Sequence, residues 1–435
     1  MSHLAYACRV FGMALHDLAP PVPLSLPMPG EGQTIAVIGP SGAGKTLALN
    51  ALAARHGGVC LPALTDFGAS ALSLFSPDLR ADAVLRTLAR AGLADGRLWR
   101  MRVGQLSAGE QQRLRIALAL CELPARGPCP LLVADEFDAH LDELTACALA
   151  QTLRRLCCAP LRVVVSTHNL ATLAYLAPAR VLQINGAVTE VAAPPPRSLA
   201  DEIEVVPGSA RDWRRFARWH YLGTSRPGPV CGVWLARVRG HDAGIVMFGY
   251  PHLLLSARKL ALPPRFHVSA LRGSGPGTLN RELRLLQRVV VDPRLRGLGI
   301  ASRLIAHGLR ELDVPYVECI AQMGAFSDFL LHAGFKRVCT LEVPRAAQML
   351  LRFCARRDIP AHRLHEPAFR EALLTRLPAP DSLALQRHLD HLARSRVNTG
   401  HGSNRGSQTP CTHALNSALA RLGARPDYFL WKRPA

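Results

Sequence analysis

Residues 39–46 read GPSGAGKT, a glycine-rich turn that ends in a lysine and a hydroxyl residue. It follows the apolar run TIAVI and leads into an apolar helical stretch. Backbone amides of such a turn can cradle phosphate oxygens, and its glycines let the chain approach them closely. Gly39, Ser41, Gly42 and Gly44 are therefore phosphate-binding candidates; the Lys45 ammonium can neutralise phosphate charge and the Thr46 hydroxyl can ligate Mg2+. Lys45 is also the only lysine among the first 258 residues. At LLVADE, Asp135 and Glu136 close a short apolar run, where Asp135 can hold the metal and Glu136 can orient a water for attack on a phosphoryl group. A third group, SAGEQQR at 107–113, spaces Ser107 and Glu110 as a capping box at a helix head. His168 follows the run VVVST.

These residues need elements to hold them. Strand-like runs at Thr34–Ile38, Leu131–Ala134 and Arg162–Ser166 alternate with helical stretches, which predicts a mostly parallel, doubly wound α/β sheet. Pro194, Pro195 and Pro196 break regular structure, and the composition turns basic after them. A second α/β unit is expected beyond, with a strand at 286–291, a turn, a helix from Gly299 to about Leu312 and a strand at 316–321, making one βαβ crossover. After Pro344 the chain reads as helical and arginine-rich, and 398–412 as a flexible Gly, Ser, Asn and Thr loop. Tyr428–Trp431 reads as a last strand returning to the sheet.

With the phosphate loop, LSAGEQQR and the LLVADE carboxylates in this order, the first half resembles an ATP-binding cassette (ABC) ATPase over roughly residues 5–190. The resemblance assigns Ser107 and Gly109 to the signature that meets nucleotide, Asp138 and Leu141–Asp142 to the segment linking opposed subunits, and His168 to sensing the γ-phosphate. It implies ATP and Mg2+ as cofactors, and a homodimer in which one chain's phosphate loop faces the other's signature helix. The family's coupling glutamine has no counterpart between Thr46 and the signature, and that interval is short, which argues against a transporter subunit.

The stretch LLQRVVVDPRLRGLGIASRLIAHGL joins a strand to a helix through a basic glycine turn, a ready pyrophosphate site. With YVECIA and FSDFLLHAGFKRV following, residues 205–343 resemble the GCN5-related N-acetyltransferases (GNAT). The resemblance implies acetyl-CoA, or another acyl-CoA, held by Arg294, Arg296, Gly297 and Gly299, with strand amides near Val291 polarising the thioester. The family's usual general-acid tyrosine is Leu330 here, so His220, Tyr221 and Glu282 stand as candidate acid–base groups. The fold class is thus α/β: a P-loop ABC ATPase domain at 1–192, a Pro-rich linker at 193–204, a GNAT-like domain at 205–343 and a helical basic extension at 344–435.

Charge separates the halves. Residues 1–200 carry 17 Lys+Arg against 14 Asp+Glu, and residues 201–435 carry 35 against 18, giving +3 and +17. A half this basic suits nucleic acid. A hydrophobic share of 49% with 19% charged residues supplies real cores and excludes global disorder. The 12 cysteines form no CxxC pair, so neither a zinc site nor a disulfide framework is signalled, which fits a reducing cytoplasm. No apolar stretch reads as a membrane span. Three function classes follow: an ATPase coupled to an acyltransferase acting on nucleic acid or a nucleic-acid-bound target, a nucleic-acid-binding ATPase whose second domain binds without catalysis, and the ATPase subunit of a transporter.

Overall fold

A computed structural model describes residues 2–12, 23–128, 130–220, 227–274, 276–397, 412–419 and 422–434. The chain divides into two compact units that are not contiguous in sequence. The first holds residues 1–203 together with 238–241 and 292–300, and the second holds the remainder from Glu204 onward.

The first unit is built on a six-stranded sheet of order β2-β3-β4-β1-β5-β6, with β1 Thr34–Ile38, β2 Val59–Cys60, β3 Leu131–Ala134, β4 Arg162–Ser166, β5 Arg180–Asn185 and β6 Ala187–Val191. All pairings are parallel except the β5–β6 hairpin. The expected strands coincide with β1, β3 and β4, whose continuous apolar runs suit strands covered on both faces. Ile35, Val37, Leu49, Leu52, Val133 and Val164 form one core on which the helix Lys45–His56 packs. Because β3, β4 and β1 are neighbours, the segments leaving their carboxyl ends come together at one edge of the sheet. In α/β sheets ligands bind at this edge.

The second unit carries a seven-stranded sheet of order β12-β13-β11-β10-β9-β8-β7. Its strands are β7 Ile203–Pro207, β8 Val230–Val238, β9 His241–Gly249, β10 Leu283–Val291, β11 Tyr316–Ala321, β12 Lys336–Thr340 and β13 Asp427–Lys432. β10 pairs parallel with β11 and antiparallel with β9, β13 runs antiparallel to both β11 and β12, and the helix Ile300–Glu311 makes the crossover from β10 to β11. The expected βαβ is therefore present, with β10 beginning three residues earlier than the periodicity suggested. The last strand does return, as a central one: β13 lies between β11 and β12, burying Tyr428, Phe429 and Leu430. Fully buried Arg258 donates from Nε and Nη2 to Glu318 on β11 at 2.9 and 2.7 Å, and Tyr428 adds its hydroxyl at 3.2 Å. A buried ion pair needs this many partners to offset the loss of water.

The C-terminal helices Arg345–Ala355, Pro367–Arg376, Ala379–Val397 and Thr412–Leu419 share a core that includes Leu350, Phe353, Leu385, Leu392 and Leu419. Of the expected loop at 398–412, Thr412 starts the last of these helices and residues 398–411 lie outside the described residues.

Candidate functional site

At the sheet edge of the first unit, Gly39 follows β1 with its amide plane pressed on β5: a Cβ there would stand 2.3 Å from the Ile184 carbonyl oxygen. Gly42 and Gly44 adopt φ of +79° and +91°, a conformation open to glycine and strained for other residues. The Lys45 ammonium, 5% exposed, donates to the Gly39 and Pro40 carbonyls at 2.9 Å each, so it is centred in the loop. Ser41 lies within the same turn. One residue on, the Thr46 hydroxyl donates to Asp135 Oδ2 at 2.6 Å across from the end of β3, bringing together the two oxygens expected to share Mg2+. Hard oxygen donors of this kind suit Mg2+, which takes few protein ligands alongside nucleotide phosphates.

Glu136 adopts φ of +45°, a left-handed conformation unusual for glutamate and typical of strained functional positions. Ser166, at the end of β4, holds that turn: its hydroxyl accepts the Glu136 amide at 2.7 Å and bonds Asp135 Oδ1. His168 Nε2 lies 3.2 Å from Glu136 Oε1, both side chains being about half exposed. Lys45, Thr46, Asp135, Glu136 and His168, singled out from three separate runs, thus form one constellation. Ser166 was not singled out; its signal was its place between the strand and His168. Asp138 is buried, accepts from Thr167 and Thr172 at 2.6 and 3.1 Å, and burial pushes its carboxyl above the ordinary value despite those bonds.

Ser107 and Glu110 form the capping box at the head of the helix Ala108–Glu122. Gly109 faces Thr145, whose methyl would lie 2.9 Å from an added Cβ. Asp142 caps the helix Glu143–Leu156 through the Thr145 amide and hydroxyl at 3.0 and 2.6 Å. The glutamine in the short interval, Gln105, accepts from the Arg102 amide at 3.1 Å and so serves a local turn.

The segment 292–300 also belongs to this unit. Arg113 of the signature helix, 1% exposed, donates to the Arg294 carbonyl at 2.9 Å and to Ala91 O and Thr152 Oγ1 at 3.1 and 3.2 Å. Burial, then the nearby Arg296 and Arg155 charges, bring its guanidinium down to about 10. The Arg294 guanidinium pairs with Asp292 at 2.7 Å and Arg296 pairs with Asp95 at 3.1 Å. Gly297 and Gly299 both have positive φ, +89° and +79°, as the glycine turn requires. The two arginines expected at a pyrophosphate thus have carboxylate partners of their own.

In the second unit, β10 and β11 are in register only from Leu283 to Leu285 against Tyr316 to Glu318. Beyond Leu285 they part, although β10 runs on to Val291 and stays paired with β9. A bulge between Leu286 and Arg288 interrupts that ladder. His220 is 9% exposed and meets Trp213 edge-on at 5.5 Å. Glu282 ends the short helix before β10 and pairs with Arg265 at 2.7 Å, not with the neighbouring Arg281 or Arg284. Leu330 is fully buried, and Tyr221 lies outside the described residues.

No family model matches the sequence. The phosphite import ATP-binding protein PxtA of Stutzerimonas stutzeri is 44% identical over 101 residues, 22% of this chain and 34% of that protein. The vitamin B12 import ATP-binding protein BtuD of Salmonella typhimurium is 32% identical over 192 residues, 36% of this chain and 76% of that protein. The chain therefore spans about a third of the length of the first relative and about three quarters of the second. Among solved structures, a dimeric bacterial ABC transporter cassette is 22% identical with a TM-score of 0.31, covering 39% of this chain and 88% of its own. The extent of the BtuD match, together with a phosphate loop, paired carboxylates and a signature helix at the expected places, shows that the chain belongs to the ATP-binding cassette family of ATPases.

Proposed function

We propose that the chain is a non-transport ABC-type ATPase that hydrolyses Mg-ATP as an ATP-bridged homodimer, and that its second unit is an acyl-CoA-dependent N-acyltransferase acting on nucleic acid or a nucleic-acid-bound target in the cytoplasm. For the ATPase, Thr46 and Asp135 hold the metal, Lys45 the phosphates, and Glu136 orients the water with His168 beside it.

The observation that carries the transferase half is the parting of β10 and β11 beyond Leu285. A parallel pair that separates leaves strand edges whose amides can bond an extended thioester arm and polarise its carbonyl, as an acyl-transfer site needs. In the reaction the acceptor amine nitrogen attacks that carbonyl, a C–N bond forms, the C–S bond breaks, and the CoA sulfur leaves as the thiol with the proton the amine gives up. A base must take that proton. His220, Tyr221 and Glu282 are the candidates for it, and Glu282 pairs with Arg265 at 2.7 Å. The turn that the resemblance gives to the acyl-CoA pyrophosphate, at Gly297 and Gly299, lies in the 292–300 segment that follows β10 in the chain. Nucleic acid is favoured by the +17 charge after residue 200 and by cations stacked on rings, Arg284 over Tyr250 at 5.3 Å and Arg218 over Trp219 at 4.6 Å.

Radiolabelled acetyl-CoA is incubated with the protein and separate pools of tRNA, duplex DNA and protein, with and without ATP. Label entering one pool and lost with Gly299→Glu supports the transferase; dependence on Lys45 shows that transfer is coupled to ATP binding. ATP hydrolysis with label in no pool sinks acetyl transfer and favours a nucleic-acid-binding ATPase. A second reading, the ATPase subunit of an importer, is favoured by the names of the relatives. It requires membrane partners to copurify with the chain.

A further inference from the structure

Arg294 stands beside the signature. With Ser107, Gly109, Glu110 and Asp142 it lines one open pocket in the first unit. We propose that the Arg294 guanidinium is part of the nucleotide-contacting face of the signature and meets the γ-phosphate of ATP held by the phosphate loop of a second copy of the chain. The proposal rests on the ATP-bridged dimer of the preceding subsection.

Three features support it. The residue is anchored at its base: its amide donates to Asp292 Oδ1 at 2.9 Å, its carbonyl accepts from buried Arg113 at 2.9 Å, and Pro293 fixes the backbone before it. Asp292, with a side chain 2% exposed, takes Nε and Nη2 of the guanidinium, whereas the Arg294 side chain is 47% exposed. One edge of the planar fork is thereby oriented and other N–H groups remain to donate, which is the geometry that makes arginine a phosphate ligand.

The second feature is charge. The pocket lining holds the Glu110 and Asp142 carboxylates, which repel a γ-phosphate, and against them the half-exposed Arg294 and the buried Arg113 guanidinium. Asp142 lies in the Arg294 field: burial alone would raise its carboxyl, and the Thr145 bonds with the Arg294 charge outweigh that and hold it low. Arg294 therefore offsets a carboxylate that the helix cap requires. The third feature is origin. The cation comes from the 292–300 segment, some 180 residues after the signature, and the Arg113 bond that places it starts from the signature helix itself.

The test uses the full chain with Glu136→Gln, which slows hydrolysis so that an ATP-bridged dimer accumulates. Light scattering across a MgATP titration compares it with the same chain carrying Arg294→Gln or Arg294→Lys, and thermal melting reports folding. Expected are a MgATP-dependent dimer for Glu136→Gln, a rise of about tenfold or more in half-saturating MgATP with Arg294→Gln, which corresponds to at least ~1.4 kcal/mol, and recovery of most of that loss with Arg294→Lys. Unchanged half-saturation with Arg294→Gln overturns the proposal and leaves the dimer standing. Equal loss in both variants with a lowered melting point also overturns it, since a merely structural residue behaves so. No dimer with Glu136→Gln removes the bridged-dimer reading and the proposal with it. Weakened acetyl-CoA binding with dimerisation unchanged returns Arg294 to the pyrophosphate role.

Discussion

The Lys45 ammonium, fixed by two loop carbonyls at 2.9 Å, has its charge aimed at one place, and the His168 ring has an equally definite neighbour in Glu136. In the proposed mechanism the two residues act at different stages: Lys45 would meet nucleotide in ground and transition states alike, whereas a ring beside the water-orienting carboxylate would matter most as charge moves onto the γ-phosphate. Lys45→Ala is expected to abolish measurable ATP binding by fluorescent-nucleotide titration. His168→Ala is expected to lower kcat by about 10²–10³, the usual cost of one lost transition-state donor, with KM little changed. Phosphate-release kinetics check this, and a mainly KM effect would assign His168 to binding. Glu136 with φ of +45° shows how far the local backbone is bent to present that carboxylate.

Helix ends and turns decide the next scale. Asp142 supplies an N-cap to Glu143–Leu156 and its carboxyl lies below the ordinary value of 3.8. A carboxyl depressed in the folded state contributes stability above its ordinary pKa and loses it as pH falls through the folded one. Asp142→Ala is therefore expected to cost about 1 kcal/mol at neutral pH, with the difference from the parent shrinking below pH 3.8. Denaturant melts at several pH values follow it, and a difference constant with pH would contradict it. The glycine turn gives a second contrast. Alanine at Gly299 meets open space and bears only the left-handed backbone cost, roughly 1–2 kcal/mol. At Gly297 the new Cβ also lies 3.3 Å from Thr152 Oγ1 and 3.5 Å from Arg155 Nη2, so Gly297→Ala is expected to melt lower than Gly299→Ala.

At the scale of the molecule, the first unit is assembled from distant stretches of chain. Arg239, from the 238–241 turn, pairs with Glu202 and Glu143 at 2.7 and 3.1 Å, and the 292–300 segment gives Arg113 and Asp95 their partners. A fragment ending at Pro196 leaves Arg113 a buried guanidinium short of one acceptor, a loss of about 1–3 kcal/mol. Its melting point by circular dichroism is expected several degrees below that of the full chain. Equal melting would show that residues 1–196 are self-sufficient. The first continuous piece of the first unit ends at Ile203, within the 193–204 stretch expected as a linker, and 238–241 and 292–300 join the unit from beyond it.

The nucleotide site was legible because its parts are local: GPSGAGKT, LLVADE and SAGEQQR each combine a strand end or helix head with the side chain it presents, and parallel strands β1, β3 and β4 bring their ends together without further instruction. The βαβ of the second unit was legible for the same reason. Sequence by itself brought forward Lys45, Thr46, Asp135, Glu136 and His168 as candidates for phosphate and metal, and Thr46 meets Asp135 and Glu136 meets His168 in the fold. Tertiary structure decided what depends on long-range pairing: that Ser166 ties the two carboxylates, that β13 enters between β11 and β12, that β10 and β11 part after Leu285, and that Arg296 meets Asp95. Spacing along a chain encodes the periodicity of a helix or strand. It does not encode which remote carboxylate will lie within 3 Å of a given guanidinium, because that distance is set only when the sheets and helices have packed.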